Sequence, residues 1–375
     1  MLTNDQMSIL LLLRRAFGLS GESYETEDES ELLETVMRSG LLLTVYPVLS
    51  AKEQEPFKAS YAAALKQSIL QTYEGENILN ALSDAGFDCI ALKGWELQKL
   101  YPRSNMRQMA DLDILVRPYE YRRIKAIMEK LGFWAYSESS WKHDNFKKGK
   151  VFVEMHKRLT DDSAEIRKWE QEMWDRAVRI RGNIFRMTPE DYYLFHFIHM
   201  EKDFVIASLG LRRIVDTWLL QKQPIAMELV KAELERFGLT LFHERMVHLS
   251  RAVMGEEPMD ENCEVLLAHA FKYGIYGSDE SHKAGRITFM GKNLKNGKFR
   301  SAISAVFLPV ARMKAHFPIL EKWPVLLPWC WLKRIVRTVL KEGKQIRTKL
   351  NYSNIREEEY RETNRFFEAG GIEQK

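Results

Sequence analysis

Hydrophobic and polar positions change period twice along this chain. Residues 7–17 are apolar and close on Arg14 and Arg15, while 22–34 is acidic and expected to be solvated. Over 62–82, Leu65, Ile69, Tyr73, Ile78 and Leu82 recur at helical spacing, with no proline among them and Gly86 placed to end the helix. The period then shortens. DCIALK at 88–93 reads as a buried strand ending at Gly94, 95–101 as two helical turns stopped by Pro102, and DLDILV at 111–116 as a second strand. Pro118 opens a helix with Tyr121, Ile124, Ile127, Met128 and Leu131 on one face, ended by Gly132. Residues 133–136 and 150–156 read as two more strands, joined by a polar connection containing Asp144, Asn145 and Gly149. From Thr188 the helical period returns, with helices predicted over 192–200, 209–222 and 225–237. Pro318, Pro324 and Pro328 break 307–340 into shorter helices, and the charged tail after Tyr352 is expected to be mobile.

These elements predict an α+β chain in three parts: a helical segment over 1–80, a mixed-sheet core over 81–187, and a C-terminal helical domain over 188–375 that roofs the core. The length of 375 residues suits two or three domains, and the 45% apolar content excludes collagen-like and mostly disordered chains. Cys89, Cys263 and Cys330 form no CxxC pair, so neither a disulfide framework nor a zinc ribbon is supported, and a reducing cytoplasmic compartment fits. The N-terminus does not read as a signal peptide, and no uncharged apolar run reaches the length of a spanning helix. Net charge does change the picture. The total of +4 hides a basic arm at 286–350, where 15 Lys and Arg face only Glu321 and Glu342, leaving the remainder at −9.

Candidate chemistry concentrates in the strands. Asp111 and Asp113 stand two apart, so on a strand both carboxylates share a face. Such a pair is tolerated when solvated at a strand edge or when a divalent cation neutralises it, and hard oxygen donors suit Mg²⁺. Glu154, in VFVEMH, shares a face with Phe152 and His156, and would bring a third carboxylate if the two strands lie side by side. Three carboxylates suffice to hold two ions for an in-line phosphoryl or nucleotidyl displacement. His156 could orient that site or serve as a structural histidine. His196 and His199, three apart on a helix, lack a nearby third ligand. No GxxxxGK[ST], GxSxG or HExxH occurs, so P-loop, hydrolase-elbow and metalloprotease chemistries have no support.

Lys93-Gly94, Arg107, Asp111-Leu112-Asp113-Ile114-Leu115-Val116 and Val153-Glu154-Met155-His156 together resemble the uncharacterised bacterial nucleotidyltransferase family of the DNA polymerase beta-like superfamily. His196, His199 and the run Arg212-Arg213-Ile214-Val215-Asp216 extend the likeness. The resemblance implies a polymerase beta-like mixed-sheet core, Mg²⁺ (two ions, with Mn²⁺ as an alternative), and transfer of a nucleoside monophosphate from an NTP with release of pyrophosphate. Asp111, Asp113 and Glu154 would hold the metals, and Lys93, Gly94, Arg107, Arg212 and Asp216 would bind nucleotide. One departure stands out: where the superfamily places Gly or Ser after its early Gly, this chain has Trp95, so Lys93 would supply charge instead. The acceptor is open among small molecule, protein and RNA. Alternatives are a catalytically weak nucleotide-binding or membrane-peripheral assembly factor on the same fold, or a nucleotidyltransferase toxin. For the basic arm, an anionic membrane surface, nucleic acid, and a solvated helical domain with aromatic core remain open, without DNA sequence recognition.

Overall fold

Alternation along the strands decides which face of the sheet is closed. β5 (Val151–His156) buries Val151, Val153 and Met155 and turns Phe152 and Glu154 to the other side. β2 (Leu112–Arg117) is buried almost throughout, because it runs mid-sheet. With β1 (Asp88–Ala91), β3 (Trp134–Ser137), β4 (His143–Lys148), β6 (Val178–Arg181) and β7 (Ile184–Arg186), these strands form a seven-stranded mixed sheet in the order β3-β4-β5-β2-β1-β7-β6. β2 runs parallel to β5 and β1 parallel to β7, while the other neighbours are antiparallel. The fold class is therefore α+β. The computed structural model describes residues 2–22, 29–137, 142–159, 164–308, 310, 313–314, 317, 319–336 and 355–373. Arg312, Pro318, Arg337, Lys341, Glu342, Lys344, Arg347 and Lys349 of the basic arm, and 23–28 of the acidic stretch, lie outside the described residues.

Two helices close one face. α4 (Ala51–Asp84) starts at a capping box between Ser50 and Glu53 and runs longer than the 62–82 pattern predicts. Its buried face also differs from the expected stripe. Ser68, Gln71, Gly75, Ile78, Leu79 and Leu82 turn inward, whereas Ile69 is 62% and Tyr73 64% exposed. Gly75 explains the register, since a Cβ there would run into the indole of Trp95. α6 (Tyr121–Lys130) adds Ile124 and Met128 at i, i+4, and both helices pack on Leu112, Ile114, Val116, Phe146, Val153 and Met155. The side chains of Asp113, Glu154 and Asn145 are thereby left on the opposite face.

The chain forms two units, one of Met1–Met200 with Leu209–Ile275, which holds the whole sheet, and one of Glu201–Ser208 with Tyr276–Lys375. α8 (Pro189–Phe204) begins in the first unit at Thr188, whose hydroxyl accepts the Asp191 N–H, and ends in the second, while α9 (Leu211–Gln221) lies in the first. In the second, the tail corrects the sequence expectation. Residues Glu357–Gly370 form a helix that buries Tyr360, Phe366 and Phe367, with Phe366 stacked 4.0 Å from Phe204. The i, i+3, i+7 spacing of Tyr360, Thr363 and Phe367 outweighs the charge between them. Among the described residues, no helix is long and apolar enough to cross a membrane.

Candidate active site

The register of β2 and β5 sets the site. Asp113 lies directly opposite Glu154, and Glu154 opposite Asn145 on β4. Asp111 stands just before β2, and one carboxylate oxygen from each of Asp111, Asp113 and Glu154 lies within 4.8 Å of the others. The turn after β1 adds a cation. Lys93 takes φ +44°, a left-handed conformation costly for a residue with a Cβ, and the Tyr192 hydroxyl holds it by donating to the Lys93 carbonyl at 2.6 Å. Its Nζ donates to Asp113 Oδ1 at 2.7 Å.

Charge balance here is close. Asp113 is buried, which opposes ionisation, but Lys93 and the His156 Nε2 at 2.8 Å outweigh burial and hold its carboxyl well below the usual range. Burial likewise opposes the cations of Lys93 and His156, yet the surrounding carboxylates raise both. Asp111 is the counterexample: burial first, then the Asp113 charge, push it up to about 6. Two like charges a few ångströms apart leave room for a divalent cation, and oxygen donors suit Mg²⁺ or Mn²⁺. Glu154 is also 3.3 Å from His156 Nε2 and 3.5 Å from His143 Nδ1, so it belongs to a second ligand-capable group of His143, Glu154 and His156. Burial lowers His143.

The nucleotide candidates cluster beside the carboxylates. Gly94 starts a single helical turn, and a Cβ on it would sit 2.6 Å from Arg107 Nη1 and 2.7 Å from Met109 Cγ. Only glycine fits that approach. Trp95 does not face the carboxylates; it is buried in the core against Gly75 of α4. Arg107 and Asp216 form a buried bidentate pair, 2.8 Å at each bond, with the Tyr101 hydroxyl donating to Asp216 at 2.9 Å. Asp216 is thus an interior partner on α9, in contrast to the helix-surface ion pair that its sequence context allows. Arg212 donates to the Gln108 carbonyl. His196 and His199 part ways: His196 bonds Thr217 at 2.8 Å and His199 lies 3.4 Å from Arg213 Nη1.

Sequence reading missed His143, Asn145, Tyr101 and Tyr192, because their roles come from strand register and from helices far along the chain. It also missed β4, whose HDNFKK run has one apolar residue, Phe146, and becomes a strand by pairing with β5 on one side and β3 on the other. The exposed β6 and its partner β7 carried no apolar run either.

A family model described as "Uncharacterised nucleotidyltransferase" matches residues 25–255. No curated protein matches the sequence. The solution structure of the antibiotic-resistance factor ANT(2'')-Ia aligns with 48% of this chain and 100% of its own, at 16% identity and a TM-score of 0.34.

Proposed function

This chain belongs to the uncharacterised nucleotidyltransferase family, and from that premise we propose that it transfers a nucleoside monophosphate from an NTP to an acceptor, releasing pyrophosphate. The observation carrying the reading is the convergence of Asp111, Asp113 and Glu154 on one sheet face, the one opposite α4 and α6, within 4.8 Å of one another. In this reading the sheet is a polymerase beta-like core and the three carboxylates hold two Mg²⁺ ions. When bound, the ions supply charge neutralisation at the α-phosphate and acidify the acceptor hydroxyl.

The protein's own groups do the positioning. His156 fixes the Asp113 carboxylate through Nε2, and Lys93 presents an ammonium to the same oxygen. That ammonium, the Gly94 backbone and the adjacent Arg107 Nη1 form the side on which a triphosphate is received. The Arg107–Asp216 pair ties this loop to α9, so Asp216 acts at the nucleotide by holding Arg107 in place. The acceptor oxygen forms a bond to the α-phosphorus as the bond to the β-phosphate oxygen breaks, and pyrophosphate leaves.

Mn²⁺ titration followed by electron paramagnetic resonance tests the metal assignment without knowing the acceptor. Asp111→Asn and Asp113→Asn are each expected to weaken Mn²⁺ by more than about a hundredfold, beyond the roughly 10–100-fold typical of losing an outer-shell partner. Unchanged Mn²⁺ affinity in both variants overturns the reading. Transfer from α-labelled NTP to RNA, protein or a small-molecule pool then identifies the acceptor.

A second reading concerns the basic arm. Phe317, Leu326, Leu327 and Trp331 pack around Met313, Leu320 and Cys330, but Trp323, Val325, Trp329 and Leu332 are 55–77% exposed beside Lys322, Lys333 and Arg334. Exposed apolar side chains among cations support peripheral attachment to an anionic membrane.

A further inference from the structure

The sheet face opposite α4 and α6 continues past the carboxylates as an aromatic row that the chemistry above leaves unused. Trp134 on β3 pairs with Lys147 on β4, and Lys147 with Phe152 on β5. Two residues further along β5 comes Glu154, paired with Asn145 and Asp113. The row is therefore one strand period, about 6.6 Å, from the carboxylates. Tyr136 joins it, with ring centroids 6.0 Å from both Trp134 and Phe152 at steep angles. Lys147 Nζ stands 4.8 Å over the Phe152 ring. Trp134 is 54% and Tyr136 45% exposed, an unusual outlay of aromatic surface for an edge strand. Beside Glu154 in the carboxylate row, Asn145 Oδ1 is buried with no hydrogen-bond partner among the described residues. The Tyr136 phenol is pushed up by burial and by the charges of Glu154 and Asp111, so the row and the carboxylates share one electrostatic environment.

Position separates this row from the donor side. Lys93 and Gly94 follow β1, beyond β2, whereas the row lies on β3, β4 and β5. Exposed rings offer stacking, the ammonium offers a counter-charge to phosphate, and the amide offers a polar contact to a base edge. These are the elements that hold a nucleobase with its phosphate. Among the described residues, no carboxylate pairs with that ammonium.

We propose that Trp134, Tyr136, Phe152, Lys147 and Asn145 form the acceptor platform, and that the acceptor is a nucleotide whose base stacks there while a ribose hydroxyl reaches Asp113 and Glu154. This rests on the nucleotidyl-transfer reading. The ribose oxygen bonds to the α-phosphorus of the NTP, pyrophosphate leaves, and the hydroxyl proton passes to solvent.

The test uses the full chain with AMP as probe, in EDTA, read by tryptophan fluorescence, alongside binding of a non-hydrolysable NTP with Mg²⁺. AMP is expected to quench fluorescence, and Trp134→Ala or Phe152→Leu to weaken it about tenfold, as for loss of one stacked base. Lys147→Ala should weaken AMP more than adenosine. Asp113→Asn should lose the Mg²⁺–NTP complex, whereas Trp134→Ala should leave Mg²⁺–NTP binding within about twofold, as expected for separate sites. No AMP binding, equal AMP binding by Trp134→Ala, or a drop in solution mass in that variant (marking the row as an interface between copies) overturns the platform. Loss of Mg²⁺–NTP binding in the wild-type chain, with AMP still quenching, overturns the transfer reading instead.

Discussion

Asp111 shows how one side chain registers the site. Its folded value of about 6 lies above the ordinary 3.8, so the folded protein holds that proton more tightly than the unfolded chain. The associated stability is present below pH 3.8 and is lost as pH rises through about 6. Above that, the ionised carboxylate beside Asp113 is a net cost that a divalent cation, if bound as proposed, would offset. Asp111→Asn is accordingly expected to raise the Tm of metal-free protein at pH 7.5 by about 2–4 °C, with the gain shrinking toward pH 5. Differential scanning calorimetry in EDTA checks this, and a gain that persists unchanged at pH 5 contradicts the assignment. Asp111 and Asp113 were legible as a pair because two-residue spacing on a strand places side chains on one face, and Glu154 as a third carboxylate only on the condition that its strand lies beside theirs. The cations that balance them, Lys93 and His156, were visible as residues, but their bonds to Asp113 required the register of β2 with β5 and the turn after β1.

Elements behave differently according to whether their burial is local or imposed. α6 follows its own periodicity and buries Ile124 and Met128. α4 does not, since its inward face includes Ser68, Gln71 and Gly75 while Ile69 and Tyr73 stay outside. The partner across the interface, Trp95, selects the one position without a Cβ. Gly75→Ala would gain about 1 kcal/mol of helix propensity, yet the new methyl meets a buried indole, and overpacking of this kind costs about 1–3 kcal/mol. The expected outcome in urea denaturation is net destabilisation, relieved in the double variant Gly75→Ala/Trp95→Phe. A stabilised single variant would show that the indole moves freely. The C-terminal helix makes the same point from the other side: a run rich in charge still folds because Tyr360, Phe366 and Phe367 share a buried side.

At the scale of the whole molecule, charge and unit division run together. The sheet and its carboxylates belong to one unit, and the basic arm with Trp323, Trp329 and Leu332 belongs to the other. Vesicles of phosphatidylglycerol and phosphatidylcholine are expected to sediment the protein at low salt, and phosphatidylcholine alone to leave it in solution. Trp323→Ser with Trp329→Ser should reduce the bound fraction several-fold, whereas equal sedimentation on neutral vesicles contradicts an anionic docking surface. Local sequence by itself determined the α+β character, the central strands, the shared facing of Asp111 and Asp113 and the charge division, because each depends on local spacing or composition, whereas Glu154 joins that pair only through the β2–β5 register. Tertiary structure alone decided that HDNFKK is a strand, which side of α4 is buried, that Arg107 closes on Asp216, and that Trp134, Tyr136 and Phe152 line up one row from the site. Those outcomes depend on hydrogen-bond register and on contacts between segments up to 109 residues apart, which no local period encodes.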